Sequence, residues 1–196
     1  MKPSATAWRR FLSFFTHEPE PSTAHKLYAV LVDHARFRVY YETLAVPDTP
    51  EGRFEVLALH VGLVLRRLVQ DRSVGGHVAQ SLVDLMVTDM DVNLRELGVG
   101  DLSVGKQVKR LAGQLNARMD VLREAFDGGD HERLRPMLAV NTYHGVDAPP
   151  ESGVTKLIRA CAAIEKRLAE QDVAALAAGR LQLPDEGMIR ETCLAT

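Results

Sequence analysis

Ser103-Val-Gly-Lys-Gln-Val-Lys-Arg-Leu-Ala-Gly-Gln-Leu-Asn-Ala-Arg-Met-Asp-Val-Leu-Arg-Glu-Ala-Phe126 is the stretch that decides the fold. Val104, Val108, Leu111, Leu115, Met119 and Leu122 advance by steps of four, three, four, four and three. That is the 3.6-residue period of a helix with one buried stripe. Residues 153–171 repeat it with Val154, Leu157, Ile158, Cys161, Ile164 and Leu168. Outward from these, the same period predicts helices over 23–44, with a break near Arg36, and over 50–71, 76–97, 131–141 and 173–178. Strand-period runs and hairpin dipeptides are missing from the sequence. The punctuation agrees: Thr49-Pro50 reads as an N-cap followed by proline at the first helical position, and Gly98, Gly128 and Gly179 stand where left-handed C-terminal caps belong. The expectation is an all-α, single-domain bundle of about six to seven helices.

Composition limits the function classes. With 196 residues, 46% of them hydrophobic and 26% charged, the chain is long enough to bury a core and unlike a disordered or membrane-spanning one. A formal charge of -2 removes the global attraction on which a dedicated nucleic-acid binder relies, so DNA is not an expected partner. Cys161 and Cys193 cannot build a disulfide framework, which points to a reducing compartment. Cys161 lies within an apolar stripe and reads as a small core residue.

The chain divides into a segment over 1–21, a helical domain over 22–179 and a tail over 180–196. Glu18-Pro-Glu-Pro21 closes the first segment as a linker, because residues before proline avoid the helical region. Within it Trp8, Phe11, Leu12 and Phe15 follow i, i+3, i+4, i+7 spacing, with Arg9 and Arg10 beside them. That pattern suits an anionic membrane surface, and equally suits docking on the protein's own body. The apolar run Phe11–Phe15 is too short to span a bilayer.

Several motifs imitate chemistry. Gly100-Asp-Leu-Ser-Val-Gly-Lys-Gln107 nearly matches a phosphate-binding P-loop, but Gln107 replaces the magnesium-binding hydroxyl and a helix precedes it instead of a strand. Asp89-Met-Asp-Val-Asn93 alternates oxygen ligands like a calcium loop, yet Leu94 stands at the turn glycine and Gly100 at the chelating glutamate. The seven histidines form no His-x-x-x-His pair and have no nucleophile beside them. No cofactor, metal or catalytic set is expected, and the chain reads as a non-enzyme.

A projection of residues 76–97 puts Leu82, Leu85, Met86, Met90 and Leu97 on one side, with Asp84, Thr88, Asp91 and Arg95 opposite. Asp89 and Asn93 point toward the apolar side, where a carboxylate needs a partner. Arg118, at the edge of the next helix's stripe, is the expected one, giving a buried structural pair of Asp89 and Arg118 with Asn93 nearby. Lys106, Lys109 and Arg110 share the outward side of the helix that follows the turn. With Asp91, Arg95 and Asp101 they form a charged rim around Gly98, Val99, Gly100, Leu102 and Gly105, an edge suited to recognition.

At this edge the sequence resembles a known family. Asp84-Leu-Met-Val-Thr-Asp-Met-Asp-Val-Asn-Leu-Arg-Glu-Leu-Gly-Val-Gly-Asp-Leu-Ser-Val-Gly-Lys-Gln-Val-Lys-Arg110 is similar to the signature of the ubiquinol-cytochrome-c reductase (cytochrome bc1 complex) chaperones, particularly their bacterial branch. Val46-Pro-Asp-Thr-Pro-Glu-Gly-Arg-Phe-Glu-Val-Leu-Ala-Leu-His-Val-Gly-Leu-Val-Leu-Arg66 resembles the helix that precedes that signature. The resemblance implies a cofactor-free helical chaperone that binds newly made cytochrome b and supports assembly of the bc1 complex. Mitochondrial members work with a small protein partner and the ribosome, and nothing in this sequence identifies either. A bacterial cytoplasmic location beside the inner membrane is the matching expectation. A generic helical adaptor for another soluble protein is the alternative.

Overall fold

The computed structural model describes the backbone of residues 21–96 and 101–195 and the side chains of 23–92, 109 and 113–195. The chain is all-α, and no strand occurs among the described residues. The helices are α1 (Pro21–Ala35), α2 (Arg38–Glu42), α3 (Pro50–Leu68), α4 (Arg72–Glu96), α5 (Asp101–Asp127), α6 (Arg135–Asn141), α7 (Glu151–Ala169), α8 (Val173–Ala177) and α9 (Glu186–Leu194). Short 3-10 turns, Val69–Asp71 and His131–Leu134, lead into α4 and α6.

α3 is the centre of the bundle. Its run Val56-Leu-Ala-Leu-His-Val-Gly-Leu-Val-Leu65 is apolar on nearly every side, and a helix without a polar face is stable only when surrounded. Val56, Ala58, Leu59, Val61, Leu63, Val64, Leu65 and Leu68 are all buried. α1, α4, α5, α7 and α8 all pack against it. Gly62 permits the close approach of α5, since a Cβ there would stand 2.6 Å from a methyl group of Leu122.

Local chemistry sets the helix ends. Thr49 Oγ1 accepts from the Gly52 N–H at 3.1 Å, with Pro50 at the start of α3. Asp71 Oδ1 accepts from the Ser73 N–H at 3.1 Å and the Ser73 hydroxyl at 2.6 Å, so α4 begins at Arg72 and not at the expected 76. α1 stops at Ala35 and α2 restarts at Arg38, placing the break near Arg36. The expected continuous helix over 131–141 is a 3-10 turn followed by α6, because Pro136 lacks an N–H and is tolerated only in a first helical turn. Gly179 takes the left-handed conformation after α8 (φ +80). After α5 that role falls to Gly129 (φ +67), one residue beyond the expected Gly128.

The largest departure is at the C-terminus, where the expected tail carries α9. Asp185 caps it, its Oδ1 accepting from the Met188 N–H at 2.8 Å, and Ile189 and Cys193, four apart, are buried. α9 packs on α7 and α2. The six stripe residues of α7, Val154 through Leu168, are buried as their spacing predicts.

The start of α7 fits tightly under the turn after α2. The Tyr143 hydroxyl donates to the Leu44 carbonyl at 2.7 Å, and a Cβ on Gly153 would lie 2.5 Å from that same oxygen. Both obstacles are held in place, one being backbone and the other a buried ring. Replacing Gly153 with alanine should therefore lower stability by about 1–3 kcal/mol, as overpacking does elsewhere, despite alanine's better helix propensity. A urea unfolding midpoint equal to the parent's would show that the turn yields freely.

Candidate functional site

α4 and α5 pack against each other, and Met86 and Met90 of α4 and Leu115 and Leu122 of α5 are all buried. Their joined ends form the edge singled out in the sequence. Asp91 is half-buried near the end of α4 and Lys109 is exposed on α5. Gly98, Val99 and Gly100 lie outside the described residues, as do the side chains of Asn93, Arg95, Leu102, Asp101, Lys106 and Arg110. The backbone of α5 is helical from Asp101, so Gly105 sits within a helix and not in a glycine-shaped turn. Residues 101–107 thus direct their amides along a helix, a geometry unlike a P-loop cradle. Asp89, Asp91 and Asn93 occur within continuous α4, where side chains two apart diverge. Residues 1–20, with the Trp8 to Phe15 stripe, also lie outside the described part.

Val92 is an apolar member of this region that the projection did not single out. It is 47% exposed and lies one turn beyond exposed Thr88. The signal was present in the spacing, since positions four apart share a face.

The buried ion pair joins different residues from those expected. Arg118 forms a two-point bridge with Glu55 of α3, Nε donating to Oε2 at 3.0 Å and Nη2 donating to Oε1. Asp89 instead accepts from the Tyr28 hydroxyl of α1 at 2.8 Å, and burial together with that carboxylate pushes the Tyr28 pKa up. Arg118 is only 3% exposed, and burial lifts the Glu55 pKa even with the guanidinium beside it. A second cationic tie lies farther along α3. Arg66 Nη2 donates to Asp127 Oδ1 at 2.6 Å, Nη1 donates to Glu165 Oε1, and the guanidinium stands 5.5 Å from the Phe126 ring centroid. Glu55 and Arg66 could have been recognised as polar interruptions at the ends of a long apolar run.

The histidines hold one arrangement that spacing did not reveal. His34 of α1 and His60 of α3, 4% and 2% exposed, face each other with Nδ1 and Nε2 2.7 Å apart. Burial pushes His34 down, and burial with the facing His34 pushes His60 down to about 3. Burial likewise pushes the Cys161 thiol up to about 12, far from a reactive thiolate. No group of three or more His, Cys, Asp or Glu among the described residues could hold a metal ion.

Comparison with known proteins covers most of the chain. The family described as Ubiquinol-cytochrome C chaperone matches residues 42–183. The crystal structure of the Cbp3 homolog from Brucella abortus is similar at 31% sequence identity and a TM-score of 0.77, over 93% of this chain and 97% of that one. Among curated proteins no match is found.

The Glu55 to Arg118 bridge orients α5, and with it the candidate edge. Removing one partner leaves a buried charge alone, so Arg118→Leu should cost about 3–5 kcal/mol, whereas Glu55→Leu with Arg118→Leu should cost far less. Glu55 in the single variant has a raised folded-state pKa, so the folded state holds the proton more tightly than the unfolded chain. Stability is then lost as pH rises above the ordinary glutamate value of about 4.3, and the deficit shrinks on acidification. Urea titrations of both variants across that range test the bridge. Equal costs for the single and double replacements would rule out an uncompensated buried charge.

Proposed function

Because the chain belongs to the ubiquinol-cytochrome C chaperone family, we propose that it binds newly made cytochrome b and supports assembly of the cytochrome bc1 complex. The observation that carries this reading is the match over residues 42–183, which takes in α3, α4, α5 and α7 together. The role requires binding and release without catalysis. It puts the protein in the bacterial cytoplasm beside the inner membrane, where a membrane protein client is inserted. No described helix is long and apolar enough to cross a membrane.

The α4 to α5 edge is the proposed client surface. An unassembled membrane protein exposes apolar helices flanked by charged loops, so its chaperone needs apolar area for affinity and rim charges for register and encounter. Val92, Val99 and Leu102 supply the first. Asp91, Arg95, Asp101, Lys106, Lys109 and Arg110 supply the second, and Gly98 and Gly100 allow close backbone approach.

Replacing Lys106, Lys109 and Arg110 together with glutamate reverses the basic part of the rim. Since these positions lie off the apolar stripe of α5, the thermal midpoint should change little, while recovery of cytochrome b from a respiring membrane fraction falls. A folded triple variant that captures cytochrome b and restores bc1 assembly like the parent would move the client surface elsewhere. Failure of the parent protein to recover any cytochrome b would sink the proposed client itself.

The stripe of Trp8, Phe11, Leu12 and Phe15 with Arg9 and Arg10 is proposed to touch the anionic membrane surface. Deleting residues 1–17 should then reduce co-sedimentation with vesicles containing phosphatidylglycerol. Unchanged co-sedimentation assigns the segment to another role.

A further inference from the structure

The most closely packed polar cluster outside the client surface joins α1, α2, α3 and the turn before α9. His34 Nε2 lies 2.7 Å from the Pro184 carbonyl oxygen, and His60 Nδ1 lies 2.7 Å from the Val56 carbonyl oxygen. A carbonyl can only accept, so both outer ring nitrogens carry hydrogen. The inner nitrogens, His34 Nδ1 and His60 Nε2, stand 2.7 Å apart. An approach that close needs a hydrogen between them, because two bare lone pairs repel. Three short contacts therefore require three N–H protons, and two neutral imidazoles provide two.

We propose that His34 and His60 share one additional proton, and that this proton clasps the Pro184 turn, and hence the start of α9, to the centre of the bundle. The single positive charge is spread over both rings and solvated by the Pro184 and Val56 carbonyls. The Tyr40 hydroxyl stands 3.1 Å from His60 Nε2 and 3.3 Å from His34 Nδ1, farther than the inner nitrogens stand from each other. It can donate to one inner nitrogen when the shared proton leaves, but it cannot supply the hydrogen between the rings. The Phe37 ring lies tilted against His34 with centroids 4.4 Å apart.

The remaining titratable groups around the cluster face Tyr40. They are Cys161 from α7, Cys193 and Glu186 from α9, and Tyr41 from α2, and all favour the neutral phenol. No described carboxylate hydrogen-bonds either histidine ring. Burial without a counter-ion pushes both rings down and the three hydrogen bonds oppose that, so the shared proton is held only below the ordinary histidine value of about 6.5. The sign follows: the clasp is closed at lower pH and loosens as pH rises and the proton departs. Uptake of a second proton is opposed by burial and by the charge already present. This clasp is independent of the client proposed above.

Nitrogen-15 NMR of the histidine rings in the full chain tests the proton count directly. Well below the ordinary histidine value of about 6.5 the two outer nitrogens should appear protonated, and the two inner ones should share one strongly deshielded proton. As that proton is lost on the way up to pH 7, amide exchange in residues 183–189 should accelerate about tenfold after correction for intrinsic base catalysis, with α7 unaffected. His60→Gln places a neutral amide donor opposite His34, so exchange in 183–189 should then become independent of pH. Bare inner nitrogens throughout the range would overturn the proposal even if the variant fails to fold. So would departure of the proton without faster exchange, or retention of the pH dependence in folded His60→Gln.

Discussion

A helix with no outward face constrains the whole molecule. α3 is surrounded by α1, α4, α5, α7 and α8, so its neighbours must be arranged around it and not merely laid side by side. Apolar packing gives it no preferred rotation, since nearly every side is equally apolar. Its polar residues supply that preference. Glu55 reaches Arg118 on α5, His60 reaches His34 on α1, and Arg66 reaches Asp127 on α5 and Glu165 on α7. Each tie points to a different place, and rotating α3 to suit one would break the others.

This arrangement also determines how the proposed client edge is presented. α5 is fastened to α3 at two points, through Arg118 past its middle and Asp127 at its C-terminus. Lys109, N-terminal to both ties, is exposed. α4 is held from the other side, where Tyr28 of α1 meets Asp89. A recognition surface at this edge would stand on a rigid base.

Helical periodicity made the fold class legible, because a single apolar stripe on α7 leaves little choice about which face is buried. α5 was readable for the same reason. The ion pairs were not readable. A helical projection correctly set Arg118 at the rim of the core and Asp89 toward the apolar side, but which carboxylate meets the guanidinium depends on how three helices cross. Glu55 lies 63 residues from Arg118 and is the nearer acid in space. The His34 to His60 contact has no local signature either, since the two residues belong to separate helices. α9 was hidden by its brevity: Asp185 as a cap and Ile189 with Cys193 four apart were present, but two turns between a lone proline and terminal sequence look like a tail. Of the candidate edge, sequence reasoning marked the charged rim and passed over Val92, whose place is evident once α4 is followed as one helix.

Gly62 and the enclosed middle of α3 have a kinetic consequence. A surface helix can fray while the remainder persists, but α3 can be exposed only by displacing its neighbours. Its amides should open to solvent through the global transition, giving the bundle one cooperative unit in place of separable halves. A protein proposed to handle an unfinished, greasy client would thereby be guarded against a hazard of its own: its most apolar segment is withheld from the surroundings for as long as the bundle stands.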